Sequence, residues 1–391
     1  MTPVRQGADH AAIETALAAI AATFAEAGYA PVTTGHLFEA ETLIDLYGED
    51  IRARAFLFPG IGGPGGSDEM CLRPDFTVPV VRAHSARGWD RAARYAYQGP
   101  VFRRQDPGST RPTEYLQAGI ENLGDPDAAV ADAEVLALIR RALEAAGAGP
   151  IEISTGDLGI AFALLDALPM PPRRCHQLRR HFWRPARFHE LVEEAVAGPS
   201  APGATRARLI AAATGPEPDR AVAVLAEAAG QPIGLREVDE ITARARALAE
   251  AAGEPPMPAE HAELIETALS IKGPAGNALA RLRALTDAAG VDITPALDRF
   301  EARLEALDQA GLDAARMPFD AAFGRNLEYY EGFVFEVTAR DGSGARPDLP
   351  PLAGGGRYDA MTQRLGAARP IPAVGGMIRP EALLAASGER P

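Results

Sequence analysis

Apolar residues recur at helical spacing near the N-terminus. The first four follow Asp9 at intervals of four, three and four residues: Ile13, Leu17, Ile20 and Phe24. This spacing predicts an amphipathic helix with Asp9 as its N-cap. The same spacing predicts a helix over 127–147 and another that has Thr294 as N-cap, Pro295 in its first position and its end at Gly311.

Alternating apolar and polar residues predict strands elsewhere. GFVFEVTAR, residues 332–340, alternates most clearly, and IEISTGDLG at 151–159 is a second strand followed by a turn. The segments 52–58, 71–85 and 94–103 are predicted to be extended, with breaks at Pro and Gly. The glycine-rich segment 59–69 has no lysine and no phosphate-loop spacing, so it is predicted to be a flexible hairpin loop.

The amino-acid composition of the chain changes over residues 157–310. This block is rich in Ala and Arg, favours helix, and carries almost no strand signal. Strands therefore precede and follow a long helical block. The pattern predicts an α+β fold whose core comprises residues 1–156 and 311–391, with a helical insertion over 157–310.

Charge and cysteine content narrow the classes of function. The 39 Lys and Arg residues against 53 Asp and Glu residues give a net charge of −14, which disfavours a nucleic-acid partner. The two cysteines, Cys71 and Cys175, form neither a disulfide framework nor a zinc signature. The N-terminus lacks the apolar core of a signal peptide, and no apolar run approaches the roughly 18 residues of a membrane span. The sequence predicts a cytoplasmic protein that does not bind membranes.

Residues 101–124, VFRRQDPGSTRPTEYLQAGIENLG, combine features that seldom share one surface loop. Arg103 and Arg104 end an apolar segment, a turn rich in Gly, Ser and Pro follows, and Gln117 and Glu121 then lie on an apolar run. The arrangement predicts a pocket with a cation at one end and a carboxylate at the other. Such a pocket suits either a nucleotide and a small amino compound together or only one of them.

Four motifs in this order resemble the catalytic core of histidyl-tRNA synthetase: LRPDFT, GPVFRR with the following Q-X-G-X-E, RNLEYYEGFVFE and AGGGRYD. The resemblance covers most of residues 9–155 and 320–384. It implies a class II aminoacyl-tRNA synthetase-like fold built on an antiparallel sheet. The block 157–310 lies where that family carries a helical insertion.

The resemblance implies a site that binds histidine. Arg103 matches the arginine that contacts the amino-acid carboxylate and the α-phosphate, and Arg325 matches the family's catalytic arginine. Asp75 replaces a glutamate, which keeps the charge on a shorter side chain. The implied histidine-binding residues are Asp75, Thr77, Arg103, Gln117, Glu121, Arg325, Tyr329 and Tyr330. If Tyr329 and Tyr330 lie on a strand, their side chains point to opposite faces and only one contacts the ligand.

Four further departures from the synthetase concern ATP. Gln105 stands where a glutamate helps to hold adenine, and Thr113 stands where an arginine binds phosphate. In the third class II motif, Arg379 replaces a glycine and Ala382 replaces the arginine that packs on adenine. The chain also ends shortly after this motif, where the synthetase continues into an anticodon-binding domain. We therefore expect neither tRNA charging nor catalytic residues, and no cofactor or metal.

A synthetase-like core that keeps the histidine end and loses the ATP end resembles the family of ATP phosphoribosyltransferase regulatory subunits. That family implies a role in histidine biosynthesis. The expected partners are L-histidine and a short-form ATP phosphoribosyltransferase catalytic subunit. That subunit is expected to need the regulatory subunit for activity, and the regulatory subunit is expected to contribute to feedback inhibition by histidine. A homodimer within a larger hetero-oligomer is expected, because class II cores usually dimerise.

Two other functional classes remain open beside the regulatory subunit. The second class is a truncated histidine-activating ligase, which Arg103 and Arg325 support, and the third is a scaffold with an unused pocket. The Arg-rich segment 173–187 is either an exposed amphipathic helix or a contact surface for the catalytic subunit or its anionic substrates. Its neighbouring histidines, His176, His181 and His189, are spaced poorly for a shared metal.

Overall fold

The computed structural model describes residues 6–47, 51–60, 69–89, 91–106, 108–109, 112–198, 203–228, 238–324, 329–341, 344–346 and 348–387. The chain forms two compact units: Met1–Ala163 together with Ala268–Pro391, and Leu164–Thr267. The second unit lies within the predicted insertion, 157–310, and is shorter than that prediction at both ends. Most of the glycine-rich segment lies outside the described residues.

Thirteen strands are present among the described residues. Their bounds are β1 (Ala30–Pro31), β2 (Leu37–Glu39), β3 (Leu57–Pro59), β4 (Glu69–Leu72), β5 (Ala93–Phe102), β6 (Glu114–Leu123), β7 (Ile151–Asp157), β8 (Lys272–Pro274), β9 (Pro318–Asp320), β10 (Phe333–Asp341), β11 (Gly344–Ala345), β12 (Ala353–Arg357) and β13 (Ala373–Ile378).

The main sheet has the strand order β1-β5-β6-β13-β12-β10-β7-β9-β8, with β11 paired to β10. Its pairs are antiparallel except β1 with β5 and β7 with β9. A small second sheet has the order β2-β4-β3. The predicted α+β class with an antiparallel, class II synthetase-like core is confirmed.

The helices complete the description of the fold. Their bounds are α1 (Ala8–Glu26), α2 (Ala40–Tyr47), α3 (Ile51–Arg54), α4 (Thr77–Ser85), α5 (Ala128–Ala145), α6 (Leu158–Ala167), α7 (Pro172–His181), α8 (Pro185–Ala197), α9 (Ala204–Thr214), α10 (Pro218–Ala228), α11 (Val238–Gly253), α12 (Ala259–Leu269), α13 (Ala275–Ala289), α14 (Thr294–Gln309), α15 (Asp359–Arg364) and α16 (Pro380–Ala386). No helix among these described residues is long and apolar enough to cross a membrane.

The core of the first unit forms where the apolar faces of α1 and α5 join the central strands. The four apolar residues that predicted α1 are all buried, and so are those that predicted α5. Asp127 caps α5 by accepting a hydrogen bond from the backbone N–H of Val130 at 3.1 Å. The N-cap of α1 is Gly7 rather than Asp9, which lies in the first turn of the helix.

Three predicted details are wrong for local reasons. Residues 77–85 form α4 rather than a strand, because Pro79 lies in the first helical turn, where a backbone N–H has no intrahelical partner to lose. Residues 51–54 form the single helical turn α3. Thr294 is the first residue of α14, and its N–H is bound by Asp292 at 2.9 Å, so the cap lies outside the predicted residue.

The Arg-rich segment forms α7 and the start of α8 in the second unit. Four of its arginines bind acceptors within that unit: Arg173 and Arg174 at Glu254 and Pro255, Arg179 at Asp166, and Arg187 at Glu190 and Glu194. Local acceptors therefore neutralise or satisfy much of the charge of this segment. This favours the amphipathic-helix interpretation for those four residues, and a contact surface stays a prediction.

Candidate functional site

Four adjacent strands, β5, β6, β13 and β12, form the floor of the candidate site. Glu121 on β6 lies opposite Tyr95 of β5 and Gly375 of β13. Successive side chains of a strand point to opposite faces, so Gln117 and Glu121, four residues apart, share one face of the sheet. Tyr97 lies opposite Gly119 and belongs to the same face.

Glu121 is the centre of a buried polar cluster. Only 1% of its surface is exposed. The Thr77 hydroxyl donates a hydrogen bond to Oε1 at 2.9 Å, and the Tyr358 hydroxyl donates to Oε2. The Tyr97 hydroxyl also donates to this carboxylate. Three separate elements thus hold one carboxylate, and we call these four residues the Glu121 cluster.

The electrostatics of the cluster favour the arrival of a positive charge. Burial raises the pKa of Glu121 to about 8, the nearby Asp75 carboxylate acts in the same direction, and the three hydroxyl donors act against it. Burial likewise raises the pKa of Tyr97 and Tyr358 well above their ordinary values, so both phenols stay protonated as donors. A ligand that brings an N–H cation would stabilise the ionised carboxylate.

Glycines on the neighbouring strands make room for the cluster. A Cβ at Gly375 would lie 1.7 Å from Oε2 of Glu121, and one at Gly119 would lie 2.5 Å from the Tyr97 hydroxyl. A Cβ at Gly356 would lie 3.0 Å from Cδ1 of Tyr330. The buried Glu121 carboxylate and its tyrosine donors therefore have room only because these strand positions are glycines.

We expect Gly375→Ala to destabilise the chain by about 2–3 kcal/mol, since the added methyl must displace the Glu121 carboxylate from its donors. The matched control is Gly354→Ala on β12, where the nearest atom to a Cβ is a carbonyl oxygen at an ordinary 3.5 Å. Urea unfolding of both variants measures the difference. Equal stability of the two variants would contradict the tight fit at Gly375.

Gln117 and Asp75 are both buried, at 1% and 7% exposure. The amide nitrogen of Gln117 has no acceptor among the described residues. A buried donor left without a partner costs about 1–3 kcal/mol, so this nitrogen suits an acceptor brought by a ligand, such as a carboxylate. Asp75 adds negative charge near Glu121, as its effect on the Glu121 pKa indicates.

Tyr329 and Tyr330 precede β10 and are not part of a strand, so the alternation of a strand does not separate their side chains. Their ring centroids are 4.4 Å apart, and the Tyr329 hydroxyl donates to the Tyr330 hydroxyl at 3.3 Å. The Tyr329 ring also meets the edge of the Tyr358 ring at 6.0 Å. Both tyrosines therefore adjoin the Glu121 cluster through Tyr358.

Arg103 is tied to the segment that carries Asp75. Its Nε donates to the carbonyl oxygen of Pro74 at 2.8 Å, and its guanidinium carbon lies 5.9 Å from the ring centroid of Tyr115. This places a cation beside the turn that leads to Thr77. Arg325, the eighth predicted residue, lies outside the described residues.

The residues that depart from the synthetase pattern bind the chain's own backbone or are buried. Arg379 donates to the carbonyl of Pro351 at 2.7 Å, and Ala382 is 5% exposed. Gln105 donates to the carbonyl of Pro112 at 3.2 Å, and the carbonyl of Thr113 accepts from the Arg103 N–H at 2.8 Å. Arg379, Gln105 and Thr113 are thus bonded to or through the chain's own backbone.

Tyr97 is the binding-site candidate that the sequence analysis missed. Its position in RYAYQGP, paired with a glycine on the facing strand, was a usable signal only once the register of β5 with β6 was known. Tyr358, in the motif AGGGRYD, is 1% exposed and belongs to the cluster. Among the residues that the structure describes, no group of His, Cys, Asp or Glu is arranged to hold a metal ion.

Comparison with known proteins places these features in a family. The sequence model described as histidyl-tRNA synthetase matches residues 6–253 and 222–383. A protein from Brucella canis with the name ATP phosphoribosyltransferase regulatory subunit is 35% identical over 369 residues, which cover 90% of this chain and 91% of the relative. A protein of that name from Brucella abortus matches with the same identity and coverage.

Solved structures share the fold at lower identity. An ATP phosphoribosyltransferase regulatory subunit/histidyl-tRNA synthetase from Bacillus halodurans superposes with a TM-score of 0.66 at 21% identity, covering 98% of this chain and 81% of that one. Histidyl-tRNA synthetase from Nostoc sp. PCC 7120 gives a TM-score of 0.63 at 18% identity, over 100% of this chain and 75% of the other. These likenesses establish the fold.

Proposed function

Since this chain belongs to the family of ATP phosphoribosyltransferase regulatory subunits, we propose that it binds L-histidine at the Glu121 cluster and thereby regulates a short-form catalytic subunit of that enzyme. The buried Glu121 carboxylate carries the proposal. It is held by three hydroxyls, and its raised pKa favours a ligand that brings a cation or an N–H donor. The imidazole and the α-ammonium of histidine both have such groups.

The amino-acid end offers partners for each polar group of histidine. Glu121 can accept from the imidazole or the ammonium group, and Asp75 supplies a second carboxylate. The unpartnered amide nitrogen of Gln117 can donate to the α-carboxylate, and the guanidinium of Arg103 is positioned by Pro74 at the same end of the site. Burial strengthens all of these contacts, because competing water is excluded.

The nucleotide end supports regulation rather than adenylation. Transfer of an adenylyl group needs cations to bind the triphosphate and a surface to hold adenine. Ala382 and Thr113 have neither charge nor a guanidinium plane, and Arg379 is engaged by a backbone carbonyl. We infer a chain that recognises histidine and leaves the chemistry to its partner.

Regulation requires that histidine bind two states of the assembled enzyme with different affinities. The names of the relatives support a complex with a catalytic subunit. Within that complex we propose a homodimer of this chain, as is usual for class II cores. Histidine binding would then shift the complex toward the inhibited state.

The proposal predicts saturable binding of one L-histidine per chain, measured by titration calorimetry on the chain assembled with a short-form catalytic subunit. Histamine, which lacks the carboxylate that Gln117 and Arg103 would bind, is the matched control and should bind at least tenfold more weakly. A complex that is folded and active but gives no heat with histidine would show that the site is unused, as the scaffold interpretation holds.

A second assay separates regulation from the ligase interpretation. We expect no histidine-dependent exchange of pyrophosphate into ATP by the purified chain, because the triphosphate lacks its arginine contacts. Exchange above the background of a Glu121→Gln variant would establish histidine activation and would replace the regulatory proposal with an enzymatic one.

A further inference from the structure

An ion network centred on the buried Asp132 lies next to the Glu121 cluster but outside it. Asp132 of α5 is 1% exposed and accepts from two arginines. Arg357 donates to its Oδ1 from Nε at 3.0 Å and from Nη2 at 2.7 Å, and Arg303 donates to its Oδ2 at 3.2 Å. Arg303 also donates a hydrogen bond to Asp157 at the end of β7.

Arg357 uses nearly all of its donors in this network. Besides the two bonds to Asp132, Nη1 donates to Asp359 at 2.9 Å and Nη2 donates to the carbonyl of Ala128 at 3.0 Å. Burial disfavours the charge of this side chain, but the carboxylates of Asp132 and Asp359 raise its pKa above the ordinary value for arginine. The guanidinium is therefore charged and fixed in orientation.

The backbone at Arg357 holds both segments that carry the tyrosines of the site. Tyr358, the next residue, donates to Glu121. The carbonyl oxygen of Arg357 accepts from the N–H of Glu331 at 3.0 Å, and the Glu331 carboxylate accepts from the N–H of Ala360. Glu331 directly follows Tyr330, so two crossed hydrogen bonds clamp the tyrosine pair to the strand end that bears Tyr358.

We propose that Arg357 is a positioning residue of the histidine site: its buried guanidinium fixes the strand end from which Tyr358 reaches Glu121 and to which the Tyr329–Tyr330 segment is clamped. This role rests on the proposed function. It requires the arginine fork, because three acceptors from α5 and α15 surround one planar group. A lysine would keep the charge but would present it as a single point.

The test compares Arg357→Lys with Arg303→Lys in the assembled complex. Both remove one fork from the same buried network, so both should lower the melting temperature. Arg303 binds Asp132 and Asp157 and stacks on Phe333, whereas Arg357 holds the site. We expect the histidine dissociation constant to rise at least tenfold in Arg357→Lys and less than threefold in Arg303→Lys, both measured well below their melting temperatures.

A double-mutant cycle distinguishes positioning from general loosening. If Arg357 acts through Tyr358, the double variant Arg357→Lys/Tyr358→Phe should bind histidine with about the affinity of whichever single variant binds it more weakly. Independent, additive losses would overturn the role. Should Arg357→Lys fail to fold, Glu331→Ala removes the acceptor of the Ala360 N–H and so breaks one bond of the same clamp, and we expect a threefold to tenfold loss of affinity.

The outcomes separate this inference from the function on which it rests. Wild-type complex that binds no histidine overturns the proposed function and the positioning role together. Wild-type binding that Arg357→Lys and Glu331→Ala leave unchanged overturns only the positioning role. Selective loss in Arg357→Lys, with non-additivity at Tyr358, supports it.

Discussion

Replacing Asp132 with alanine is expected to reduce the free energy of unfolding by about 3–5 kcal/mol, the largest stability effect of any single substitution considered for this chain. The substitution leaves the guanidinium groups of Arg303 and Arg357 buried, at 5% and 8% exposure, without the carboxylate that lies between them. Water cannot compensate for the lost contact in the packed core. Urea unfolding at neutral pH measures the effect.

The exposed pair Arg283–Asp298 provides the matched control. It has a similar distance, 3.0 Å, but 57% of the Asp298 side chain is exposed, and Arg283 keeps Glu301 as a second partner. Asp298→Ala should therefore cost less than about 1 kcal/mol. A loss in Asp132→Ala no larger than in this control would mean that the buried network contributes little to stability.

Local sequence patterns were sufficient for the elements that have one buried face. The spacing of Ile13, Leu17 and Ile20 predicted α1, and the alternation in GFVFEVTAR predicted β10, because burial of one face imposes a period on the sequence. The pattern was insufficient at α4, where a proline and two adjacent valines suggested an extended segment. These residues nevertheless form a short helix, because Pro79 lies in its first turn and the valines are buried on it.

The candidate site was predicted from ordered motifs rather than from periodicity. Glu121, Thr77 and Gln117 came from the resemblance, and the structure places them on elements that face one another or share one face. Tyr97 required knowledge of strand register, which a single sequence does not contain. The Asp132–Arg357 pair joins residues 225 positions apart, so no local pattern could relate them.

The two ends of the site differ in whether their side chains are available to bind a ligand. At Glu121, glycines leave space and donors converge on one carboxylate, and the buried amide nitrogen of Gln117 has no acceptor among the residues that the structure describes. At the nucleotide end, Arg379 and Gln105 are engaged by backbone carbonyls. Selection for a histidine sensor would require the first arrangement and would tolerate the second.

Glu121→Gln is expected to weaken histidine binding by about 30-fold or more, because loss of a buried charged partner costs roughly 2–5 kcal/mol of binding free energy. The amide has nearly the same shape, so the fold should persist. Glu134→Gln is the matched control, since Glu134 also accepts from a tyrosine, Tyr29 at 3.1 Å, but lies on α5 away from the cluster. Calorimetry on both variants in the assembled complex decides the role of the carboxylate.

The affinity of the wild-type complex for histidine should also pass through a maximum between about pH 6.5, the usual pKa of imidazole, and pH 8. In this range the empty site holds a proton on Glu121, whose pKa is about 8, while free imidazole is neutral. The histidine-bound site holds one proton between the Glu121 carboxylate and the imidazole of histidine. In this pH range the free groups already carry one proton in total, so binding neither takes up nor releases protons. Below the range a proton must be lost, and above it one must be gained.

The alkaline decline isolates Glu121 from the other groups near the ligand. The pKa of Glu121 in the folded chain exceeds the ordinary glutamate value of 4.5. Its proton therefore stabilises the ligand-free fold fully below pH 4.5, and this stabilisation is lost as the pH rises through 8. A glutamine has no such titration, so Glu121→Gln should lack the decline in affinity that begins near pH 8. An identical alkaline limb in the wild type and the variant would assign that proton to the α-amino group of histidine, because burial keeps the phenols of Tyr97, Tyr330 and Tyr358 protonated in this range.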